Sequence, residues 1–304
     1  MDIDSTAATY YRNLSGPLGD RLRQVLQDTD DGTVMTIENG RCPMWQPNGL
    51  CRIQAELGHD ALCKVCREFP RLRHDYGEFI ELDLALSCPE AARLILAERT
   101  PSCVQQNTLE NISPEYDTQT MNILRRTRKE FLHFLDTTTH SFPQILAVLL
   151  VYAHDVQEEL DGGATAVLNP TDFLADVKRY MRNGNIQHLQ EFFLQMEILT
   201  PEWRARLTSP AKPPQWDDRF VALLRYFLRR YYLQAISDYD VLCRVKFAIA
   251  ACLLIGYLGG DLTETAQQFS KEIENDPDNV ETILDGTYRS PALTDLALLG
   301  LMHG

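Results

Sequence analysis

From residue 89 to the C-terminus, apolar side chains recur every three or four positions, the spacing of helices that turn one face to a core. This spacing predicts helices near 89–99, 114–136, 143–160, 171–182, 185–197, 216–235, 239–258, 262–275, 278–285 and 291–302. Several open on a helix-start signal: Ser113-Pro114, Pro143, Pro170-Thr171-Asp172, Thr200-Pro201-Glu202 and Ser290-Pro291. Pro89 followed by Glu90 has the form of a first turn, with an acid near the positive end of the helix dipole. Upstream the pattern changes. Tyr10, Leu14, Leu18, Leu22 and Val25 keep a helical spacing over residues 5–27 around the interruption Gly16-Pro17. Residues 33–38 and 79–86 read as short strands in a loop-rich stretch punctuated by Pro43, Pro47-Asn48-Gly49 and Pro70. The expected fold is mainly α: a loop-rich N-terminal cysteine and metal-binding region with short strands over 1–103, then an all-α helical domain over 104–304. Ser209 to Pro214 is the best internal linker, short enough for an interhelical loop.

Three helical features have a plain structural reading. The apolar run from Phe247 to Gly260 is broken by Gly256 and falls short of the roughly 20 residues that cross a bilayer, so a buried core helix is expected. The glycines ending that run suit a helix C-cap rather than a cofactor loop, and no Gly-x-Gly-x-x-Gly follows a strand. Phe220, Leu223, Leu224, Phe227, Leu228 and Tyr231 form a core stripe, with Arg225, Arg229 and Arg230 expected on a solvated face.

The net charge of −14 argues against general nucleic-acid binding, which needs a cationic surface to neutralise phosphates. Met1-Asp2-Ile3-Asp4 has neither the basic nor the apolar segment of a secretory signal, so a cytoplasmic protein without a membrane span is expected. In a reducing compartment clustered cysteines point to metal or redox chemistry rather than disulfides. Here Cys42 is followed after eight residues by Cys51, after eleven by Cys63, after two by Cys66 and after twenty-one by Cys88. Thiolates are soft, anionic ligands suited to iron–sulfur clusters and zinc, and Cys63-Lys64-Val65-Cys66 can offer two sulfurs from one turn. Lys64, Arg67, Arg71 and Arg73 would offset the negative charge of such a centre. A lone cysteine is more often a small buried hydrophobe, the reading taken for Cys243 and Cys252; Cys103 is intermediate. His59 and His74 flank the pair and read first as solvated loop residues.

The string Cys42-Pro43-Met44-Trp45, Gly49-Leu50-Cys51-Arg52-Ile53-Gln54, Leu57-Gly58 and Leu62-Cys63-Lys64-Val65-Cys66-Arg67-Glu68-Phe69-Pro70-Arg71 resembles the flagellin lysine-N-methylase family, as does Leu86-Ser87-Cys88-Pro89-Glu90-Ala91-Ala92-Arg93-Leu94-Ile95-Leu96. Weaker similarity continues through Phe269-Ser270-Lys271-Glu272-Ile273-Glu274 and Asn279. The resemblance implies methyl transfer from S-adenosylmethionine to flagellin lysines. It also implies a cysteine-ligated iron–sulfur cluster, four-iron in type with zinc as the alternative, held by Cys42, Cys51, Cys66 and Cys88 with Cys63 in reserve. That family carries a further cysteine cluster just before the segment matching Asp2 to Arg12, where this chain begins, so either the start is truncated or the cluster has been lost. A non-catalytic zinc- or iron-binding protein is the alternative. No catalytic or cofactor-binding residue stands out.

Overall fold

The computed structural model describes residues 1–38, 40–97, 116–178, 180 and 184–302, with the backbone of 104–107. The chain divides into two compact units, Met1–Leu72 and Arg73–Gly304. The division falls at Leu72; residue 103, the expected boundary, and Cys103 with it, lies outside the described residues, as do Ser113-Pro114 and the outer ends of the expected helices at 99, 114 and 182.

The first unit opens with strand β1 (Asp2–Ile3) and helices α1 (Ser5–Asn13) and α2 (Gly16–Val25), followed by β2 (Leu26–Thr29) and β3 (Gly32–Met35). The single amphipathic segment expected over 5–27 is thus two helices. Leu14 turns extended and Gly16 takes φ 86°, a conformation glycine adopts without steric cost. The Asp4 carboxylate caps α1 by accepting from Ala7 N at 3.0 Å. The strands form an antiparallel sheet in the order β1–β3–β2, with Asp2 opposite Val34 and Leu26 opposite Met35. Two short helices, α3 (Arg52–Leu57) and α4 (Lys64–Glu68), complete the unit. Its core gathers Ile3, Tyr11, Leu18, Leu22, Val25, Met35, Met44 and Ile53.

The second unit begins with β4 (Arg71–Asp75, which spans the division), β5 (Phe79–Leu84), α5 (Pro89–Ala97) and β6 (Val104–Asn107), in a sheet ordered β4–β5–β6. β5 and β6 are antiparallel, with Phe79 opposite Asn107. The helices follow: α6 (Thr118–Thr137), α7 (Phe142–Leu160), α8 (Pro170–Val177), α9 (Ile186–Phe193), α10 (Pro201–Thr208), α11 (Asp218–Tyr231), α12 (Val241–Leu258), α13 (Leu262–Phe269), α14 (Pro277–Arg289) and α15 (Asp295–Met302). The fold is mainly α, as expected, with β6 a strand at the head of the region read as all-α. α10 rises from Thr200-Pro201-Glu202, where the start signal was visible but too few apolar positions followed to show a helix; Thr200 caps it.

α12 is apolar around its whole circumference and packs against α7, α11 and α14. At 18 residues it is long and apolar enough to cross a membrane by composition, but 83% of it is buried inside the protein, which makes it a core helix. Gly259, at φ 64°, caps its C-terminus. The run 262–275 is not one α-helix. After α13 the backbone widens into a π-turn over Ser270–Glu274, a form that often re-aims a side chain.

That turn directs Glu274 into the core, and the arginines beside it depart from the expected solvated face. Arg230 is mostly buried and pairs with Glu274 at 3.3 Å, while Tyr231 and Tyr226 donate to the same carboxylate at 2.9 and 3.1 Å. Arg225 is 3% exposed and pairs with Asp136 at 2.6 Å. A long side chain on the edge of an apolar stripe can enter the core when a carboxylate from another element meets it, which periodicity along one helix does not reveal. Burial, and then the Glu274 charge, push the phenols of Tyr226 and Tyr231 well above their ordinary range, so both stay protonated donors. Removing the carboxylate strands a buried guanidinium. Glu274→Ala is expected to cost about 3–5 kcal/mol in chemical denaturation, and pairing Glu274→Leu with Arg230→Met to recover most of it.

Candidate metal centre

The cysteines of the first unit are placed by short-range turns. Asn48 Oδ1 accepts from Leu50 N at 3.0 Å and Gly49 takes φ 82°, which reverses the chain at Pro47-Asn48-Gly49. The returning limb bridges Trp45 to Cys51, and Arg52 N donates to Met44 O at 2.7 Å. Trp45 N donates to Cys42 O at 3.0 Å, so one tight loop carries Cys42 at its start and Cys51 at its close. α3 then leads through Gly58 (φ 87°) to Cys63, which is the N-cap residue of α4, and Cys66 lies in that helix's first turn. Asp4 fixes this second pair: its other oxygen accepts from Lys64 N at 2.7 Å, tying α4 to the start of α1. Tyr11, fully buried, donates to Ala61 O at 2.7 Å and props the connection from the other side.

All four thiols pack on one hydrophobic cluster, Cys63 buried and Cys42, Cys51 and Cys66 partly so. Cys63, the reserve ligand, is therefore brought in with the other three. The thiols also interact electrostatically. Hydrogen bonding between Cys63 and Cys66 lowers the Cys63 pKa and raises that of Cys66, so the pair gives up its first proton readily and holds the second. Burial raises the Cys42 thiol, and the charges of Cys51 and Cys63 raise it further. Sulfur surrounds them on the protein side too: Cys42 Sγ lies 3.8 Å from Met35 Sδ, and Cys66 Sγ 3.8 Å from Met1 Sδ. A metal would act against the mutual repulsion of these thiolates, since each must lose its proton to bind.

Four soft donors on one small core fit a thiolate-bound zinc or iron centre in chemistry. They are not yet closed around a point. Among the described residues no group of three or more Cys, His, Asp or Glu is arranged to hold a metal ion.

The other sequence candidates are Cys88, His59, His74, Cys243 and Cys252. Cys88 belongs to the second unit, where it precedes α5 and accepts from Ala92 N at 2.9 Å. His59 is exposed in a single 3₁₀ turn, as read. His74 is not a solvated loop residue: it sits in β4 with a buried Nε2 that has no hydrogen-bond partner among the described residues, and desolvation lowers its pKa. Cys243 and Cys252 are buried hydrophobes on α12, with the Cys243 thiol pushed up to about 12 by burial. The Glu274 cluster was missed from sequence, because its members belong to α11 and the π-turn and only the fold assembles them.

If the four thiols close on a metal, binding stabilises the first unit by about 3 kcal/mol at hundredfold saturation. Calorimetric melting of the reduced chain with zinc is expected to show a raised transition that weakens as pH falls, because protons compete for the sulfurs. Cys66→Ser removes the effect and Cys252→Ala leaves it.

Comparison with known proteins adds a partial relationship. The chain is 36% identical over 70 residues to proteins named Lysine-N-methylase from Salmonella typhimurium and from Salmonella choleraesuis; this covers 23% of the chain and 18% of each relative. It is 42% identical over 57 residues to the Flagellar biosynthetic protein FliU of Salmonella muenchen, covering 19% of this chain and 34% of that protein. No family model matches, and no solved structure matches. Matching thus spans under a fifth of the curated lysine-N-methylases' length. Over that stretch, the chain is a relative of proteins named as bacterial lysine-N-methylases.

Proposed function

We propose that this chain is a protein-lysine N-methyltransferase that acts on flagellin in the cytoplasm, uses S-adenosylmethionine, and carries a cysteine-ligated iron–sulfur centre. The observation that carries this reading is the 36% identity to proteins named Lysine-N-methylase, supported by the FliU match, whose name places that relative in flagellar biosynthesis. The four thiols of the first unit support the metal part of it.

The reaction class makes clear demands. The ε-amine must arrive neutral and in line with the methyl, so the site has to exclude water and accept a proton. S-adenosylmethionine would supply the electrophilic methyl. Cys42, Cys51, Cys63 and Cys66 would hold the metal centre, and with it the tertiary structure of the loops between them, much as structural metals do in small domains. Iron–sulfur clusters add redox capacity when bound.

A second reading, a metal-binding protein without catalysis, is favoured by the partial extent of the match, 23% of the chain. Mass spectrometry separates the two. Full-length protein, reconstituted anaerobically with iron and sulfide and incubated with flagellin and S-adenosylmethionine, is expected to add methyl masses to flagellin lysines. Unchanged lysine masses with a fully loaded metal centre would establish the second reading.

A further inference from the structure

The second unit contains a preformed cleft of about 680 Å³ where the Pro213-Pro214 loop and the start of α11 meet the C-terminal end of α12. We propose that this cleft binds an adenine nucleoside bearing an amino-acid tail, the chemical class of S-adenosylmethionine and its demethylated product. The proposal rests on the methyl-transfer reading and gives that reading a location.

Its volume lies in the range of small-molecule sites, which run from roughly 300 to 1,000 Å³. Its wall is Trp216, half-buried and held rigidly. The indole and the Phe220 ring lie near-perpendicular with centroids 4.7 Å apart, the Phe142 ring is tilted against the indole at 5.2 Å, and the indole presses on α12 at Gly256. A Cβ at Gly256 would lie 2.4 Å from two ring carbons of Trp216, so glycine is what lets the indole lie on the helix backbone. Lys212 N donates to Tyr257 O at 3.1 Å and pins the loop across the helix end. An aromatic plane fixed in this way along an open cleft is pre-organised to stack on a flat base.

The charges select among nucleosides. α12 presents its C-terminal end to the cleft, where the helix dipole is negative and attracts a cation such as a sulfonium or an ammonium; Arg206, donating to Gly259 O at 3.4 Å, already meets part of that end. The opposite end of a helix is what polyphosphates seek, and here the start of α11 does not provide it: Asp217 caps it, accepting from Arg219 N at 2.9 Å and from the Arg219 guanidinium at 2.7 Å. Those interactions also occupy Arg219. Lys212 is exposed at the rim without an ion-pair partner among the described residues, positioned for a carboxylate. A flat base, a cationic centre and a carboxylate occur together in the nucleoside–amino-acid class.

Isothermal calorimetry with S-adenosylhomocysteine and, separately, adenosine tests this on the full chain. Wild type is expected to bind S-adenosylhomocysteine more tightly than adenosine. Trp216→Ala should weaken both at least tenfold and Trp216→Phe only slightly, while Lys212→Glu should weaken S-adenosylhomocysteine alone; melting curves confirm that each variant is folded. Ligand should also quench tryptophan fluorescence in wild type and not in Trp216→Phe. Tight binding unaffected by these substitutions, or no binding of either ligand to wild type, overturns the cleft. Flagellin methylation that continues at full rate in folded Trp216→Ala overturns it too while leaving methyl transfer standing. Binding lost in Trp216→Ala by a wild type that methylates no lysine supports the cleft and overturns the enzyme reading.

Discussion

The constraint on which the first unit depends is the packing of four thiols on one small hydrophobic core. Ile3, Tyr11, Leu22, Met35 and Ile53 supply a modest cluster, and the loops that carry Cys42 and Cys51 are held by turns and by two isolated bridges, Glu38 with Arg41 and Trp45 with Cys51, rather than by long ladders. A small domain of this kind commonly relies on disulfides or a metal for part of its stability. Cys63 and Cys66 are joined by a hydrogen bond that eases the first ionisation and opposes the second, and the charge of one thiolate disfavours ionising its neighbours. A cation would remove that repulsion and join the two loops at the same time. Asp4 and Tyr11 hold the α4 pair against α1.

The second unit answers a different constraint, the burial of α12. A helix apolar on every side has to be surrounded, and α7, α11 and α14 do so. Polar chemistry is then confined to places where side chains from separate elements satisfy each other, as Arg230, Tyr226 and Tyr231 do around Glu274. Such a network is expensive to leave half made, so it fixes the register of α11 against the π-turn.

Much of this was legible in the sequence, for identifiable reasons. The fully apolar character of α12, the Gly259 cap and the Pro47-Asn48-Gly49 reversal are local and show themselves in residue order. β1 and β2 were not legible, since a two-residue strand such as Asp2–Ile3 exists only through its pairing with Val34 and Thr33. Arg225 and Arg230 looked like a wet helix face because their partners, Asp136 and Glu274, are remote in the chain. The π-turn was hidden inside an unbroken helical pattern. For the site, residue order alone named Cys42, Cys51, Cys63, Cys66 and Cys88 as candidate ligands, and the fold sets Cys42, Cys51, Cys63 and Cys66 on one cluster of the first unit. Cys88 remains a sequence candidate in the other unit.

X-ray absorption at the iron and zinc edges of the purified, anaerobically loaded chain addresses the central claim most directly. A first shell of sulfur alone, lost in Cys66→Ser, is the predicted result. A shell of nitrogen and oxygen, or a protein that takes up neither metal while correctly folded, would contradict a thiolate centre built on Cys42, Cys51, Cys63 and Cys66.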